Sequence, residues 1–469
     1  MAGLSGDRGT QDSSKDPGSG MEFSGLGAVY PDTAGIDIGA ESHHVSVPED
    51  RDEHPVREFG CYTSDLSALG DWLKECGVKT VVMESTGVYW IPTYRVLQEQ
   101  GFEVQLVDAR HAKHVPGRKT DVWDCQWLRQ LHTYGLLRGC FIPPQEIQVV
   151  RTYWRHRTEL VQSCAQQIHL MQKALEQMNV QLHKAVSDIT GVTGMGIIRA
   201  IVSGEHDPVV LAQMRQRGVK KSEEELAKAL TGHYSAEHLF TLGQALATYD
   251  FHQEQIRECD EKLAECMSRF EDHPDGEEGT SECCGPTGGT RRKNQPHFDL
   301  AGELVRISGV DLTQIDGISA LTAQVIFSEV GYDLTAFPTE KHFASWLALC
   351  PNPRKTGGRV RSSRTRPSRN RVATALRVAA QSLHRSKSGL GAYFRRLRGR
   401  LGAPKAITAT AHRLALLVYR LLRHKKAYVD GGEEAYQQRL QEQQLARVQR
   451  EAARLGYVLL SPATGEIAG

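Results

Sequence analysis

The sequence predicts an α/β domain at the N-terminus, a coiled-coil middle region and a mainly α-helical C-terminal domain. Three observations support this division: residues 35–140 alternate strand and helix signals, apolar residues recur at steps of three and four after Val161, and helical periodicity returns after Leu304. With 469 residues the chain is too long for one ordinary domain. It has no uninterrupted apolar run of about 18 residues, which argues against membrane spans.

The N-terminal sequence MAGLSGDRGTQDSSKDPGSG is rich in Gly, Ser and Asp and contains no apolar signal-peptide core. We therefore expect a disordered tail over residues 1–30 and a cytoplasmic protein. Ten Cys are scattered along the chain without a CxxC pair. The sequence thus indicates neither a disulfide framework nor a zinc site.

Residues 31–148 are predicted to form the α/β domain. The segments GIDIGAESHHVSV, VREFGCYT, VKTVVMES and FEVQLVDA are strand candidates. The segments DLSALGDWLKECG, with an Asp cap and a Gly stop, and TGVYWIPTYRVLQEQG are helix candidates. Alternation of strands and helices is typical of a sheet covered by helices.

Four carboxylates in this domain suggest a metal site. Asp37 lies within an apolar strand, where an uncompensated charge costs several kcal/mol, and Glu84 ends another strand. Asp121 and Asp124 are three residues apart on a predicted helix and therefore project from one face. Oxygen ligands favour Mg²⁺ or Mn²⁺, and two such ions about 3.5–4 Å apart would activate a nucleophile at a phosphodiester. Alternatively, Asp121 caps a helix and Asp37 pairs with a nearby Lys.

The middle region, residues 149–270, has the spacing of a coiled coil. The first apolar seam comprises Val161, Cys164, Ile168, Met171, Leu175, Met178 and Leu182, and the spacing returns at Ile256, Cys259, Leu263, Cys266 and Phe270. An antiparallel hairpin within one chain and a dimer seam fit this pattern equally well. Residues 187–240 are predicted to form a small helical insert between the two helices, and residues 271–303 a flexible linker.

A near-zero net charge hides a strongly basic segment. Residues 341–429 contain 22 Lys and Arg but no Asp or Glu, whereas the whole chain has 57 basic and 56 acidic residues. A merely solvated basic face usually mixes both signs. The exclusion of carboxylates from this segment therefore favours nucleic-acid binding.

Residues 304–430 are predicted to form the C-terminal domain. Residues 315–331 suggest two short apolar helices around a Gly turn, similar to a helix-hairpin-helix that offers backbone amides to phosphates; a plain helical turn in a core is the alternative. Gly357 and Gly358 follow in a predicted phosphate-gripping loop with five basic neighbours: Arg354, Lys355, Arg359, Arg361 and Arg364. Further basic residues lie on predicted helices: Arg377, Arg385, Lys387, Arg395, Arg396, Arg398 and Arg400. Residues 431–469 resemble a polar helical tail.

The segments GIDIGA, VVMESTGVYW and KTDVWDCQWL resemble the three motifs of the RNase H/RuvC-like domain in the DEDD transposases of bacterial insertion sequences, the bridge-RNA-guided recombinases. The resemblance covers most of residues 35–430. It implies an RuvC-like first domain in which Mg²⁺ is held by Asp37, Glu84, Asp121 and Asp124. It also implies a C-terminal transposase domain with a serine nucleophile, DNA element ends and target DNA as substrates, a structured guide RNA, and a homo-oligomer, either dimer or tetramer.

At the expected serine position this chain has Thr356, when FASW, Pro351 and the Gly pair are aligned. A threonine hydroxyl can act as a nucleophile when it is activated, but its methyl group restricts side-chain rotation. Ser362 or Ser363 would substitute if the loop shifted register. The leading interpretation is a DNA transposase or recombinase with a site composed from both domains. The alternatives are a Holliday-junction-type nuclease and a nucleic-acid-binding protein derived from a transposase.

Overall fold

The computed structural model describes residues 27–85, 87–108, 121–274, 294–426 and 428–458. The chain divides into two compact units, residues 1–142 and 143–469. Within the described ranges, no helix combines the length and the apolar composition that a membrane span requires. Most of the predicted N-terminal tail and most of the predicted linker lie outside the described residues.

The first unit is built on a five-stranded sheet in the order β3-β2-β1-β4-β5. Its strands are β1 (Thr33–Ile38), β2 (Ser42–Ser46), β3 (Val56–Gly60), β4 (Thr80–Glu84) and β5 (Glu103–Val107). The first three strands form an antiparallel meander, and β4 and β5 run parallel to β1. The segment GIDIGAESHHVSV, predicted as one strand, forms two. The chain reverses there because the Gly39 N–H donates to the carbonyl of Ser42.

Helices cover both faces of this sheet: α1 (Thr63–Glu75), α2 (Trp90–Glu99) and α3 (Asp121–Thr133). On one face, Ile36 and Met83 of the strands are buried against Leu73 of α1 and Leu97 of α2. On the other face, Leu128 of α3 packs with the strand residues Val82 and Val107. Since strand side chains alternate between faces, alternate residues of β1 and β4 point toward α3.

Two local features differ from the prediction. Helix α1 begins at Thr63, and Asp65 lies in its first turn, where the carboxylate accepts a hydrogen bond from the Tyr62 N–H at 3.2 Å. Residues 27–30, assigned to the tail, lie against the end of α3: the N–H groups of Val29 and Tyr30 donate to the Thr133 carbonyl. A helix end leaves carbonyls without partners inside the helix, so a neighbouring segment gains hydrogen bonds by docking there.

The second unit begins with two helices of 33 residues, α4 (Gln145–Gln177) and α9 (Ala236–Ser268). They run antiparallel, since Leu160 lies with Ile256 whereas Met171, further along α4, shares a core with Leu242, an earlier residue of α9. The sequence left a hairpin and a dimer seam open, and the structure pairs the two helices within one chain.

A buried ion pair lies between these helices. Arg157 Nε donates to Asp260 Oδ1 at 2.5 Å, and the two residues are only 3% and 1% exposed. The guanidinium also lies 5.4 Å from the ring centre of Trp154, and the N–H of His297 donates to Asp260 Oδ2 at 3.0 Å. Because sliding one helix would leave two buried charges without partners, this pair fixes the register of α4 against α9.

Short helix α5 (Leu182–Ala185) precedes the predicted insert, residues 187–240, and three short helices lie within it: α6 (Val192–Val202), α7 (Pro208–Ala212) and α8 (Glu223–Leu230). Their buried residues, including Ile197, Leu211 and Leu226, share one apolar cluster with the adjoining ends of α4 and α9. The insert is therefore held on the adjoining ends of the two long helices by a shared apolar core.

The remaining elements of the second unit are mainly helical: α10 (Leu300–Ser308), α11 (Ala320–Val330), α12 (Glu340–Trp346), β6 (Arg354–Thr356), β7 (Arg359–Ser362), α13 (Arg371–Ser382), α14 (Gly389–Leu401), α15 (Ala403–His424) and α16 (Gly432–Arg454). Single 3-10 turns lie at Leu312–Gln314 and Leu383–Arg385. Helix α15 packs against α12, α13 and α14. Its residues Leu414 and Val418 are fully buried.

The prediction of two short helices within residues 315–331 is wrong. Gly317 has a φ of +87°, which helical residues do not adopt, and Ser319 caps α11 by accepting a hydrogen bond from the Thr322 N–H. Only one helix therefore lies in this segment. The helix before it, α10, starts at Leu300, four residues earlier than the predicted start of the domain.

Candidate metal centre and nucleic-acid interface

Strand register brings Asp37 and Glu84 together. β1 and β4 are parallel neighbours in which Ile36 is paired with Met83, so Asp37 and Glu84 occupy the next position along both strands. Ile36 and Met83 belong to the core under α1 and α2. By alternation, Asp37 and Glu84 lie on the opposite face, the one that α3 covers.

Helix α3 lies directly on β1 at Gly35. A Cβ atom at this position would meet the carbonyl oxygen of Cys125 and would lie 2.5 Å from the backbone nitrogen of Arg129. The absence of a side chain therefore allows the helix backbone to touch the strand. Arg129 also donates from Nε to Ser46 Oγ of β2 at 3.1 Å. This docking holds the first turn of α3, with Asp121 and Asp124, on the Asp37 face.

The pKa of Asp37 is affected by the charges of the other three carboxylates. Burial raises the pKa of Asp37 to about 6, and repulsion from Asp124, Asp121 and Glu84 adds to the increase, whereas His44 opposes it. The negative charges of the other three predicted site residues therefore all act on the Asp37 carboxylate. A divalent cation would relieve both the burial and the repulsion, and an oxygen-only ligand set suits Mg²⁺.

The four carboxylates are nevertheless not closed into a metal cluster. Among the residues that the structure describes, no group of three or more His, Cys, Asp or Glu side chains is arranged to hold a metal ion. Mutual repulsion of ionised carboxylates opposes a closer approach unless a cation is bound. The structure therefore brings the predicted residues within electrostatic range, but not into ligand geometry.

His44 and Cys125 also lie beside Asp37, and the sequence analysis missed both. His44 of β2 is the antiparallel partner of Asp37, so the two side chains share a face. The signal was the Gly39 turn, which folds the histidine back onto the aspartate. The Cys125 thiol has a pKa raised to about 12, mainly by burial and further by Asp37. A thiol that stays protonated is a poor nucleophile.

The predicted phosphate-gripping loop is an exposed β-hairpin. β6 and β7 pair antiparallel, and Gly357 and Gly358 form the turn between them with φ values of +55° and +73°. Both values lie in the left-handed region, which a two-residue hairpin turn requires. The five basic residues predicted around the turn are all exposed. They form a ribbon of positive charge.

Thr356 ends β6 beside this turn and is paired with Arg359. It is exposed, and no hydrogen bond within the described ranges engages its hydroxyl. Ser363 is also exposed, whereas Ser362 is half-buried and its Oγ accepts a hydrogen bond from the Arg364 N–H at 3.3 Å. Of the three predicted hydroxyls, Thr356 is the one nearest to the turn, with Arg359 opposite it.

Comparison with protein families assigns both parts of the chain. A family model for DEDD transposases of the IS110 type matches residues 34–180, and a model described as transposase of the IS116/IS110/IS902 family matches residues 311–395. The chain belongs to the IS110 family of transposases. This membership confirms the predicted family and makes the protein a DNA transposase or recombinase. No curated protein matches the chain.

The two matched spans of the transposase contain the predicted site residues. Asp37, Glu84, Asp121 and Asp124 fall in the first span, and Thr356 falls in the second. The tail helix α16 and the whole helical insert lie outside both spans.

Beyond the hairpin, most predicted basic residues of the transposase are on helices. Arg377 lies on α13 and four others lie on α14: Arg395, Arg396, Arg398 and Arg400. Lys387 lies in the segment between them. Arg395 is engaged within the protein, because it donates to the Ser386 carbonyl and pairs with Glu433 at 2.8 Å. Val378, the apolar neighbour of Arg377 on α13, is 64% exposed.

Proposed function

We propose that this transposase cuts and rejoins DNA with Mg²⁺ or Mn²⁺ held by Asp37, Glu84, Asp121 and Asp124, and with a hydroxyl nucleophile from Thr356. The observation that carries this proposal is the convergence of three carboxylate charges on a fourth, half-buried carboxylate. Such an arrangement is costly unless it serves a cation. A divalent cation bound there would supply Lewis-acid stabilisation of charge at a phosphodiester.

The chain's own residues have distinct parts in this reaction. The Thr356 oxygen forms a bond to phosphorus and its proton passes to a base, while the P–O3′ bond breaks and the DNA 3′ oxygen leaves. The exposed cations of β6 and β7 hold the phosphate backbone without reading sequence. Ser362 or Ser363 remains the alternative nucleophile.

We further propose that the basic segment holds a structured guide RNA as well as element-end and target DNA. Shape and phosphate contacts dominate the recognition of both kinds of helix. Exchange of strands between two duplexes needs several active sites, so the working form is a homo-oligomer, either dimer or tetramer. In this scheme the RuvC-like domain (31–148), the coiled coil (149–270) and the C-terminal domain (304–430) are functional parts.

The decisive experiment mixes the purified protein with its element-end DNA, the flanking RNA and Mg²⁺, and searches for a covalent protein–DNA adduct. The wild type is expected to form the adduct and Thr356→Ala to form none. If Thr356→Ala retained the adduct, the assignment of Thr356 would be wrong.

Thr356→Ser is the matched variant, since it keeps the hydroxyl and removes the methyl group that restricts rotation. It should form the adduct at least as fast as the wild type. Cut DNA ends without any adduct would instead favour the Holliday-junction-type nuclease, with water as the nucleophile. One observation favours this second candidate: the Thr356 hydroxyl is exposed, and no hydrogen bond in the described structure engages it.

A further inference from the structure

A pocket of about 410 Å³ lies between α14, α15 and the start of α16. This volume falls within the range of roughly 300–1,000 Å³ that is typical of ligand pockets. Part of the lining is apolar, from Leu390, Leu417 and Leu440. Both α15 and α16 lie outside the spans matched by the family models, so most of the pocket lining lies beyond the matched residues.

Guanidinium groups from three helices line this pocket: Arg396, Arg413 and Arg439. Arg400 is a fourth nearby cation, since its charge acts on Tyr393 together with those of Arg413 and Arg396; burial raises the pKa of this phenol and the three cations oppose the increase. In the described part of the chain, none of the four arginines forms an ion pair or a hydrogen bond. The charge of Arg413 also acts on the Glu340 carboxylate, which is already paired with Arg420. Several cations without a carboxylate at ion-pair distance favour an anionic ligand.

One carboxylate, that of Asp430, does line the pocket. Both of its oxygens accept hydrogen bonds from the Gly389 N–H, each at 3.1 Å, at the N-terminus of α14. A helix N-terminus stabilises a negative charge. The Asp430 carboxylate therefore interacts with the N-terminus of α14 rather than with the guanidinium groups.

Aromatic rings form another part of the lining. The guanidinium carbon of Arg396 lies 5.8 Å from the ring centre of Tyr436, and the rings of Tyr436 and Tyr393 meet edge to face at 6.4 Å. The Tyr436 hydroxyl is buried and has no hydrogen-bond partner among the described residues. Buried hydroxyls normally have a partner, so this group would gain one from a ligand.

We propose that this pocket binds one unstacked nucleotide of a single-stranded nucleic acid. The arginines would take its phosphate, and the tyrosines and leucines would take its base. A duplex keeps its bases paired and stacked, whereas single strands offer them to aromatic side chains and guanidinium planes. This inference rests on the proposed function, because strand exchange and a guide RNA both supply unpaired nucleotides.

The test measures binding of full-length protein to a fluorescent single strand of about 12 nucleotides by anisotropy, as DNA and as RNA of the same sequence, with the DNA duplex for comparison. Arg413→Gln combined with Arg439→Gln should weaken single-strand binding about tenfold and duplex binding less than about twofold. Arg447→Gln is the control, since it removes an exposed arginine of the same helix about two turns beyond Arg439 and outside the pocket lining. A preference for DNA or for RNA would identify the source of the nucleotide, and either agrees with the proposal.

Tyr436→Phe tests the same pocket without loss of a native hydrogen bond, so the protein should fold and melt as the wild type does. It should weaken single-strand binding about threefold. Adenosine monophosphate should displace the labelled strand at a lower concentration than inorganic phosphate. Equal competition by the two, equal losses for duplex and single strand, or a loss matched by Arg447→Gln would each overturn the proposal. Adduct formation is measured separately, so failure of the proposed function leaves these binding results unaffected.

Discussion

The two units of the transposase position their charges in opposite ways. In the first unit, strand register and a helix docked at Gly35 hold Asp37 on a face where three other carboxylates repel it. In the second unit, the cations of β6 and β7 stand on an exposed ribbon. Carboxylates on rigid elements raise the free energy of the folded state until a cation binds, whereas exposed cations cost little. A single substitution among the carboxylates should therefore have a large effect on cleavage. Binding by the hairpin should instead change in proportion to the number of charges removed.

The largest effect should follow from Asp37→Asn. The amide keeps the shape of the side chain but removes the charge that we propose to bind the metal, which we expect to cost several kcal/mol of transition-state stabilisation, or roughly a thousandfold in the cleavage rate. Single-turnover cleavage of element-end DNA measures this. Glu58→Gln, an exposed carboxylate of β3, is the control and should change the rate by less than about twofold. Equal rates for Asp37→Asn and the wild type would remove the metal site from the proposal.

The hairpin should respond in proportion to the charge that is removed. Neutralising its five cations, Arg354, Lys355, Arg359, Arg361 and Arg364, should reduce the slope of log affinity against log salt by about 4.5, since each phosphate contact contributes about 0.9. Arg217→Gln combined with Lys220→Gln, in the helical insert, is the control and should leave the slope unchanged. If the slope fell by the same amount per removed charge in both variants, net charge, and not the hairpin, would determine binding.

The helix contact at Gly35 can be tested by Gly35→Ala. The added methyl group would collide with the backbone of α3, so the free energy of unfolding should fall by about 1–3 kcal/mol. Gly196→Ala is the matched control, because it lies within α6 with open space around it and should stabilise the protein by up to about 1 kcal/mol. Chemical denaturation measures both. If the two substitutions had the same effect, close contact between α3 and β1 would not be required.

A smaller effect should appear in the pH dependence of stability. The folded pKa of Asp37, about 6, lies above its ordinary value of 3.8, so the folded state binds the proton more tightly. The stability contributed by the protonated form is fully present below about pH 4 and is lost as the pH rises through 6. Without divalent cations this loss should amount to about 2 kcal/mol, after a reduction for solvent screening of the half-buried carboxylate, and Asp37→Asn should abolish it. Added Mg²⁺ should restore stability to the wild type only.

The carboxylate site stays a prediction, and the signals that predict it are local. A charge within an apolar strand is visible in GIDIGA, and the spacing of Asp121 and Asp124 is helical. The neighbour His44 was missed because its position depends on the reversal at Gly39, which a single long strand candidate concealed. The absence of ligand geometry was also invisible, since it depends on side-chain distances.

Elements with a regular apolar spacing could be predicted from the sequence, whereas features that depend on one residue or one contact could not. The apolar spacing predicted both long helices, but their antiparallel pairing within one chain becomes visible only in contacts between distant residues, such as the Arg157–Asp260 pair, separated by 103 positions. The positive φ of Gly317 removed one of two predicted helices. The paired Gly357 and Gly358 became a hairpin turn, because strands on both sides could form a ladder that composition alone did not reveal.

The buried Arg157–Asp260 pair has a mechanical consequence for the long helices. At 1.5 Å per residue, each helix of 33 residues extends for about 50 Å. Two such rods locked against sliding behave as a strut of constant length. The helical insert at one end of the pair is therefore held at a fixed distance from the helix ends at Gln145 and Ser268. A force along the helix axes would be transmitted from one end of the pair to the other.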